Sequence, residues 1–309
     1  MNPSFQLALQ AAQAAAGPQH YPTATLYVVA TPIGNLADIG LRALHVLALA
    51  DTIACEDTRH TAALLQGYGL HKPLLALHQH NEAEAAQTVV ERLQAGQRVA
   101  YVSDAGTPGI SDPGARLCAA VQAAGLRCLP LPGASSITTL LSVAGLAETH
   151  HTASAAFEFT GFLPPKGGPR EQALRRLASQ PHACVLLEAP HRIATLAREL
   201  AALGPRPLTV GRELTKQFEQ IVTLPCEAFS TWLSADARHS KGEFALVLHP
   251  QPAAATEGDT GPNAEALRVL QLLLPELPLK TAARLAAHIT GASKNTLYDA
   301  ALALKTHSG

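Results

Sequence analysis

The chain has 309 residues, 47% of them hydrophobic and 15% charged, which suits about two globular domains of roughly 150 residues and argues against disorder. Its 23 basic and 24 acidic side chains leave a net charge of −1, and aromatics make up 4%. This excludes an overall basic nucleic-acid binder and an aromatic base-stacking platform, so any contact with a polyanion has to come from a local patch.

Residues 1–22 are rich in alanine and glutamine, and they lack the basic start and long apolar core of a secretory leader. They are expected to form a flexible extension. Residues 26–30 (LYVVA) then read as a buried strand, 41–49 as a helix, 52–56 as a strand, 58–66 as a helix, 74–78 as a strand and 82–94 as a helix. Residues 98–104 (RVAYVSD) form a strand running into a long Gly/Pro loop. A helix over 112–124 follows, with Asp112 as N-cap and Pro113 in its first turn, then a strand at 126–131 and a helix at 134–144. Continuous apolar strands alternating with helices predict a mostly parallel, covered sheet.

A second block holds a strand at 157–162, a Pro-Pro-Lys-Gly-Gly loop, a helix at 170–178, a strand at 183–189 (ACVLLEA) and a helix at 193–203. Strands at 208–213, 220–224 and 243–249, with few long helices between them, point to a mixed sheet. The polar stretch 148–156 marks the boundary between the two blocks. Residues 251–263 read as a linker, followed by helices at 264–274, 280–290 and 294–304. Gly291 breaks this last pattern and Ser293 caps the final helix, a layout like a helix-turn-helix but also common in proteins that bind no nucleic acid. The expected organisation is an extension at 1–22, α/β domains at 23–150 and 151–250, the linker, and a helical domain at 264–309.

Cys55, Cys118, Cys128, Cys184 and Cys226 include no CxxC pair and read as reduced thiols of a cytosolic protein. No apolar run reaches the roughly 18 residues of a membrane span. His45, His78 and His80 have no third His or Cys at a zinc spacing, so no metal is expected.

Three glycine-containing loops follow strands of the first half, where open α/β sheets bind ligands. They are Thr31-Pro32-Ile33-Gly34-Asn35-Leu36, the long segment from Ser103 to Gly114, and Pro132-Gly133-Ala134-Ser135-Ser136. The long loop exceeds the usual two to six residues of such a connection. None is a GxGxxG fingerprint or a P-loop, so the expected ligand is held by backbone groups and one carboxylate rather than by a phosphate cradle.

The runs TPIGNLADI, CEDTRHT, SDAGTPGISDPG, PGASS and LLEAPHR together resemble the YraL/RsmI-type 16S rRNA 2′-O-methyltransferases of the tetrapyrrole methylase-like fold. The resemblance covers about residues 25–250. It implies two α/β domains with an S-adenosylmethionine cleft between them and a homodimer, to which the helical pattern after residue 263 adds a small C-terminal helical appendage. It also implies a cytoplasmic enzyme acting on a cytidine ribose of 16S rRNA, in the 30S subunit, near the decoding centre. By motif, the implied donor-binding residues are Pro32, Gly34, Asp104, Ala105, Gly106, Thr107, Pro108, Ile110, Ser135 and Ser136, with Leu187, Gly242, Glu243 and Phe244 in the second domain.

Charged residues in the predicted loops supply the remaining candidates. A ribose hydroxyl gains from a general base or from a cation that favours the alkoxide. Glu188, Glu213 and Lys216 are the candidates for these roles, while Arg59, Lys166, Arg192 and Arg212 are expected to form a basic patch for RNA. The segment from Glu56 to Arg59, and Glu219, offer further charges. Two rival readings are a methyltransferase for a tetrapyrrole or other small molecule on the same fold, and a non-catalytic nucleotide-binding regulatory module.

Overall fold

The computed structural model describes residues 3–78, 81–110, 114–146, 156–251 and 264–306. In chain order the first half runs α1 (Pro3–Ala16), β1 (Thr25–Val29), α2 (Leu41–Leu49), β2 (Thr52–Cys55), α3 (Thr58–Gly67), β3 (Leu74–Ala76), α4 (Glu82–Gln94), β4 (Arg98–Val102), α5 (Ala115–Ala123), β5 (Arg127–Leu131) and α6 (Ser136–Val143). Its five strands pair in parallel in the order β3-β2-β4-β1-β5. Residues of α2 and α3 pack on one face with Tyr27, Val29 and Ile53, while those of α4 and α5 pack on the other with Leu26, Val99 and Tyr101. Alternate residues of each strand thus feed opposite cores, and so these strands read as unbroken apolar runs.

The second half comprises β6 (Phe157–Phe162), α7 (Gly167–Ser179), β7 (Ala183–Glu188), α8 (Ile193–Leu200), β8 (Pro207–Arg212), β9 (Gln220–Pro225), α9 (Phe229–Ala235) and β10 (Phe244–Leu248). Its sheet, ordered β6-β7-β10-β8-β9, is mixed: β6 and β7 are parallel and the other pairings antiparallel. Leu177, Ile193, Leu196, Leu200 and Phe229 cover one face. The other face is covered by α6, which belongs in sequence to the first half. Its Ile137, Leu140 and Ala144 pack on Ala183, Val185, Ala245 and Val247. Gly211 of β8 permits this approach, since an added Cβ would lie 2.7 Å from Leu140 Cδ1. Both sheets therefore belong to one compact unit, Met1–Gln251.

One expectation is corrected, and three others fall wholly or largely outside the described residues. The N-terminal segment is not a loose extension, because α1 is a helix whose buried Ala12 packs with Leu44 and Tyr68. The Phe5 ring meets that of Tyr68 edge-on at 5.3 Å. The Asp112 cap falls outside the described residues, and the helix begins at Ala115 after Gly114, where φ is +135°. The boundary at 148–156 and the linker at 251–263 lie largely outside the described residues.

Residues 252–309 form a separate compact unit. It contains α10 (Ala264–Leu273), α11 (Leu279–Thr290) and α12 (Lys294–Thr306) around Ala266, Leu270, Ala283, Ala286 and Leu297. Gly291 ends α11 in the left-handed conformation, φ +72°.

Candidate active site between the two sheets

The sheet order places β4, β1 and β5 side by side and parallel, so the loops that follow them emerge together. The loops are tied to one another. Thr31 and Gly106 exchange backbone hydrogen bonds of 2.9 and 3.1 Å, and Thr107 Oγ1 donates to the Ala134 carbonyl at 3.0 Å. Gly106 has φ +80°, and an added Cβ would stand 3.1 Å from Ile33 Cγ2. Gly106 is thus the junction of the loops, and both its backbone polar groups are engaged.

Facing this rim are the ends of β7, β8 and β10. Between them lies a cavity of about 370 Å³, lined from the first half by Ile33, Asp104, Ala105 and Ser136 and from the second chiefly by Leu187, Glu188, Leu214, Phe244 and Ala245. A second cavity of about 360 Å³ shares Ile33, Asp104, Ala105 and Glu243, and adds Pro32, Gly34, His60 and Lys216 among its walls.

Of the expected donor residues, Asp104, Ala105, Ser136, Leu187, Glu243 and Phe244 line the first cavity, and Pro32 and Gly34 the second. Gly106, Thr107, Pro108, Ile110, Ser135 and Gly242 line neither. Pro108 is buried, Ile110 is 47% exposed, and Ser135 is the cap residue of α6. Gly242 lies over Glu213: its φ is +93°, and a Cβ there would fall 2.6 Å from the Glu213 carboxylate.

Lys216 is the centre of a charged cluster. Its Nζ donates to Glu213 Oε1 at 2.8 Å and to Glu243 Oε2 at 3.0 Å. Glu213 Oε1 also accepts the Glu243 N–H at 2.9 Å. Burial alone would raise the Glu213 carboxyl, but the hydrogen bonds from Lys216 and Glu243 outweigh it and hold it below its ordinary value. Burial would likewise lower Lys216, yet its bonds to the two carboxylates carry it above the usual lysine value. At neutral pH this cluster is an ammonium between two carboxylates. Glu213 itself sits at φ +52°, on the turn that leads from β8 to Lys216.

Glu188, 2% exposed, is held in a second network. Its Oε1 accepts from the Ala189 N–H at 2.9 Å and lies 3.1 Å from Arg192 Nε. Its Oε2 faces Arg170 at 4.0 Å, and Arg170 grips Glu199 through three hydrogen bonds. Arg192 also donates to the Leu163 carbonyl. The two arginines therefore clamp the start of the loop after β6 to the end of β7.

The expected basic patch divides. Arg59 and Lys166 are exposed; Arg59 pairs with Asp57 at 3.2 Å. Arg192 is engaged by Glu188 and by the Leu163 carbonyl. Arg212 leaves the patch: it is 7% exposed, with Nε on the Lys241 carbonyl at 2.6 Å and Nη1 on Phe218 O and Gln220 Oε1. A buried arginine spanning backbone carbonyls fixes the turn at 213–219 rather than meeting a phosphate.

His60 is a cavity residue that the sequence alone does not single out. It stands in the first turn of α3, where the N-cap Asp57 accepts the Arg59 and His60 N–H groups at 2.8 and 3.3 Å. The N-cap spacing in CEDTRHT could have placed it at the same strand ends as the glycine loops. Elsewhere, burial pushes Cys128 and Cys226 up to about 11, which disfavours the reactive thiolate. Among the described residues no group of three or more His, Cys, Asp or Glu is placed to hold a metal, and no helix is long and apolar enough to cross a membrane.

The family pattern of Tetrapyrrole (Corrin/Porphyrin) Methylases matches residues 25–229, which include both sheets up to β9. Residues 260–305 match the RsmI C-terminal HTH domain. The protein named ribosomal RNA small subunit methyltransferase I from Pseudomonas aeruginosa is 46% identical over 280 residues, covering 90% of this chain and 96% of its own length. Its namesake from Neisseria meningitidis serogroup B is 46% identical, covering 91% and 94%. The chain belongs to this ribosomal RNA small subunit methyltransferase I family. Among solved structures, a cobalt precorrin-4 methyltransferase aligns at 18% identity over 72% of this chain and 94% of its own, TM-score 0.56. Diphthine synthase aligns at 16% identity over 73% and 90%, TM-score 0.55. These two likenesses bear on fold alone.

Proposed function

We propose that this chain transfers a methyl group from S-adenosylmethionine to the 2′-hydroxyl of a cytidine ribose in 16S rRNA, near the decoding centre of the 30S subunit, working as a cytoplasmic homodimer. The single observation that carries the catalytic part is the pair of contiguous cavities at the strand ends, one mainly apolar and one bearing Lys216. The names of the curated relatives support the small-subunit rRNA target.

The first cavity suits the donor. Its volume falls within the roughly 300–1,000 Å³ of ligand sites. Leu187, Phe244 and Ala245 offer an apolar slot for an adenine, and Asp104 a carboxylate for a cationic or hydroxyl group. The first turn of α6 at Ser136 presents backbone N–H groups to a carboxylate. S-adenosylmethionine supplies a methyl group already activated on a sulfonium, so positioning carries most of the gain.

Of the three expected catalytic side chains, Lys216 is the one this geometry favours, as a fixed positive charge where oxyanion character develops. Glu213 holds and orients Lys216, and its lowered pKa makes it a weak base. Glu188, clasped by Arg192 and the Ala189 N–H, shapes the cavity wall. Arg59 and Lys166 remain as exposed cations for phosphate, alongside the helix-turn-helix unit.

Calorimetry with S-adenosylhomocysteine, combined with methyl transfer to unmodified 30S subunits, tests the reading. Binding that disappears in Leu187→Trp, with label entering 16S rRNA only with the wild-type protein, is the expected result. Full binding in a folded Leu187→Trp protein would remove the donor from this cavity. Transfer to a tetrapyrrole and not to subunits would reassign the acceptor.

A further inference from the structure

We propose that the second cavity seats the acceptor nucleotide and that His60 takes the proton from its attacking 2′-hydroxyl, an assignment resting on the ribose reading above. The cavity of about 360 Å³ shares Asp104, Ala105 and Glu243 with the donor cavity, so ligands in the two would abut. An acceptor oxygen must reach the donor's methyl in line, and a chamber that shares a wall permits that.

His60 supplies the one imidazole among that cavity's lining residues, and histidine is the side chain most used as a general base. The carboxylates there are otherwise engaged. Asp104 Oδ1 accepts the Asp57 N–H at 3.2 Å, and Glu243 pairs with Lys216 at 3.0 Å. The backbone that carries His60 is also anchored. Asp57 caps α3 through the Arg59 and His60 N–H groups while donating its own N–H to Asp104. A chain of hydrogen bonds thus runs from the shared wall of the two cavities to the backbone of His60.

In the step, the O–H bond breaks and its proton passes to an imidazole nitrogen. The oxygen's electron pair bonds the methyl carbon as the carbon–sulfur pair withdraws onto sulfur. Neutral imidazole becomes imidazolium while the sulfonium becomes a neutral thioether, so charge is conserved. Lys216 stays protonated throughout and favours the developing oxyanion.

The charged groups that line the cavity with His60 are Asp104, Lys216 and Glu243, and Asp57 and Arg59 stand beside it at the start of α3. A pH–rate profile therefore needs the His60 variant as its reference. His60 is exposed, so His60→Gln and His60→Ala should fold. The expected result is a kcat on 30S subunits lowered about 10²-fold or more, donor affinity unchanged, loss of the acid limb of the wild-type profile, and partial rescue of His60→Ala by added imidazole. Independently of turnover, the His60 ring resonances should shift when a short cytidine-containing RNA oligomer is added with S-adenosylhomocysteine, and shift less with its 2′-deoxy counterpart. Wild-type kcat in His60→Gln, or ring resonances indifferent to both oligomers, overturns the assignment. A wild-type protein that binds donor yet methylates no ribose in subunits overturns instead the reading on which it rests.

Discussion

Replacing Gly242 by alanine should dismantle the charged cluster without touching a charged residue. At φ +93° a residue with a Cβ is strained by on the order of 1–3 kcal/mol. The added atom would also stand 2.6 Å from Cγ, Cδ and Oε1 of Glu213, so the carboxylate must move. Moving it loosens its bonds to Lys216 at 2.8 Å and to the Glu243 N–H at 2.9 Å, and a hydrogen bond to a charged group contributes about 1.5–3 kcal/mol. Strain plus the loss of one such bond puts the destabilisation at about 2.5–6 kcal/mol, a large part of the roughly 5–15 kcal/mol of a typical domain. Gly96→Ala is the control: its φ is +82° and no described atom lies within 4 Å of the added Cβ, so only the same backbone term, on the order of 1–3 kcal/mol, should appear. Urea unfolding of both variants, alone and in a Glu213→Ala background, separates the terms. Gly242→Ala should cost clearly more than Gly96→Ala in the native background and about the same once Glu213 is truncated. Equal costs in both backgrounds would refute the reasoning.

Arg212→Met should destabilise by about 1–3 kcal/mol in chemical denaturation, because it removes the three hydrogen bonds that the buried guanidinium makes to the turn. Lys166→Ala should stay within about 0.5 kcal/mol and weaken binding to 16S rRNA in a salt-dependent way. Phe5→Ala should cost about 1 kcal/mol by removing the edge-on contact with Tyr68; no change would mean that α1 does not dock. Burial lowers His249, with Arg206 adding to it, and burial lowers His45. The unfolded chain therefore binds these protons first, and stability should fall as pH drops below about 6.5, measurable as a Tm lower at pH 5 than at pH 7 and partly flattened in His249→Gln. Glu213 has the lowered carboxyl, so its contribution is present above its unfolded value and is lost as pH falls through the folded one. That of Lys216, whose value is raised, is present below its unfolded value and is lost as pH rises through the folded one. Lys216→Met should thus lower Tm across the middle of the pH range and converge with wild type at both extremes.

The strands and helices were readable because their residues obey two simple periods. LYVVA and RVAYVSD alternate between two helix-covered faces, and β8 and β9 follow one another with no crossover helix of the kind that parallel pairing demands. Adjacency was not readable. The loops after β1, β4 and β5 are dispersed along the chain, and only the sheet order brings them together. Placing α6 on the other half's sheet depends on a contact between Leu140 and Gly211, a long-range fit with no local signature. The docking of α1 is not legible in the sequence because its alanines and glutamines give a weak apolar stripe, and its docking depends on Leu44 and Tyr68 far along the chain. Arg212 looked like a free cation at a strand end because sequence does not reveal that three acceptors converge on it. His60 carries no local signal for the opposite reason, since its significance lies in the cavity it shares with Lys216.

The central claim is transfer to a ribose hydroxyl. The most direct measurement incubates the protein with methyl-labelled S-adenosylmethionine and 30S subunits that lack the modification, and then digests the RNA with alkali. A methylated 2′-oxygen cannot attack the neighbouring phosphate, so the account predicts label in a single alkali-resistant dinucleotide with cytidine at its 5′ position. Label released in mononucleotides, which would place the methyl on a base, or no label in 16S rRNA at all, would contradict it.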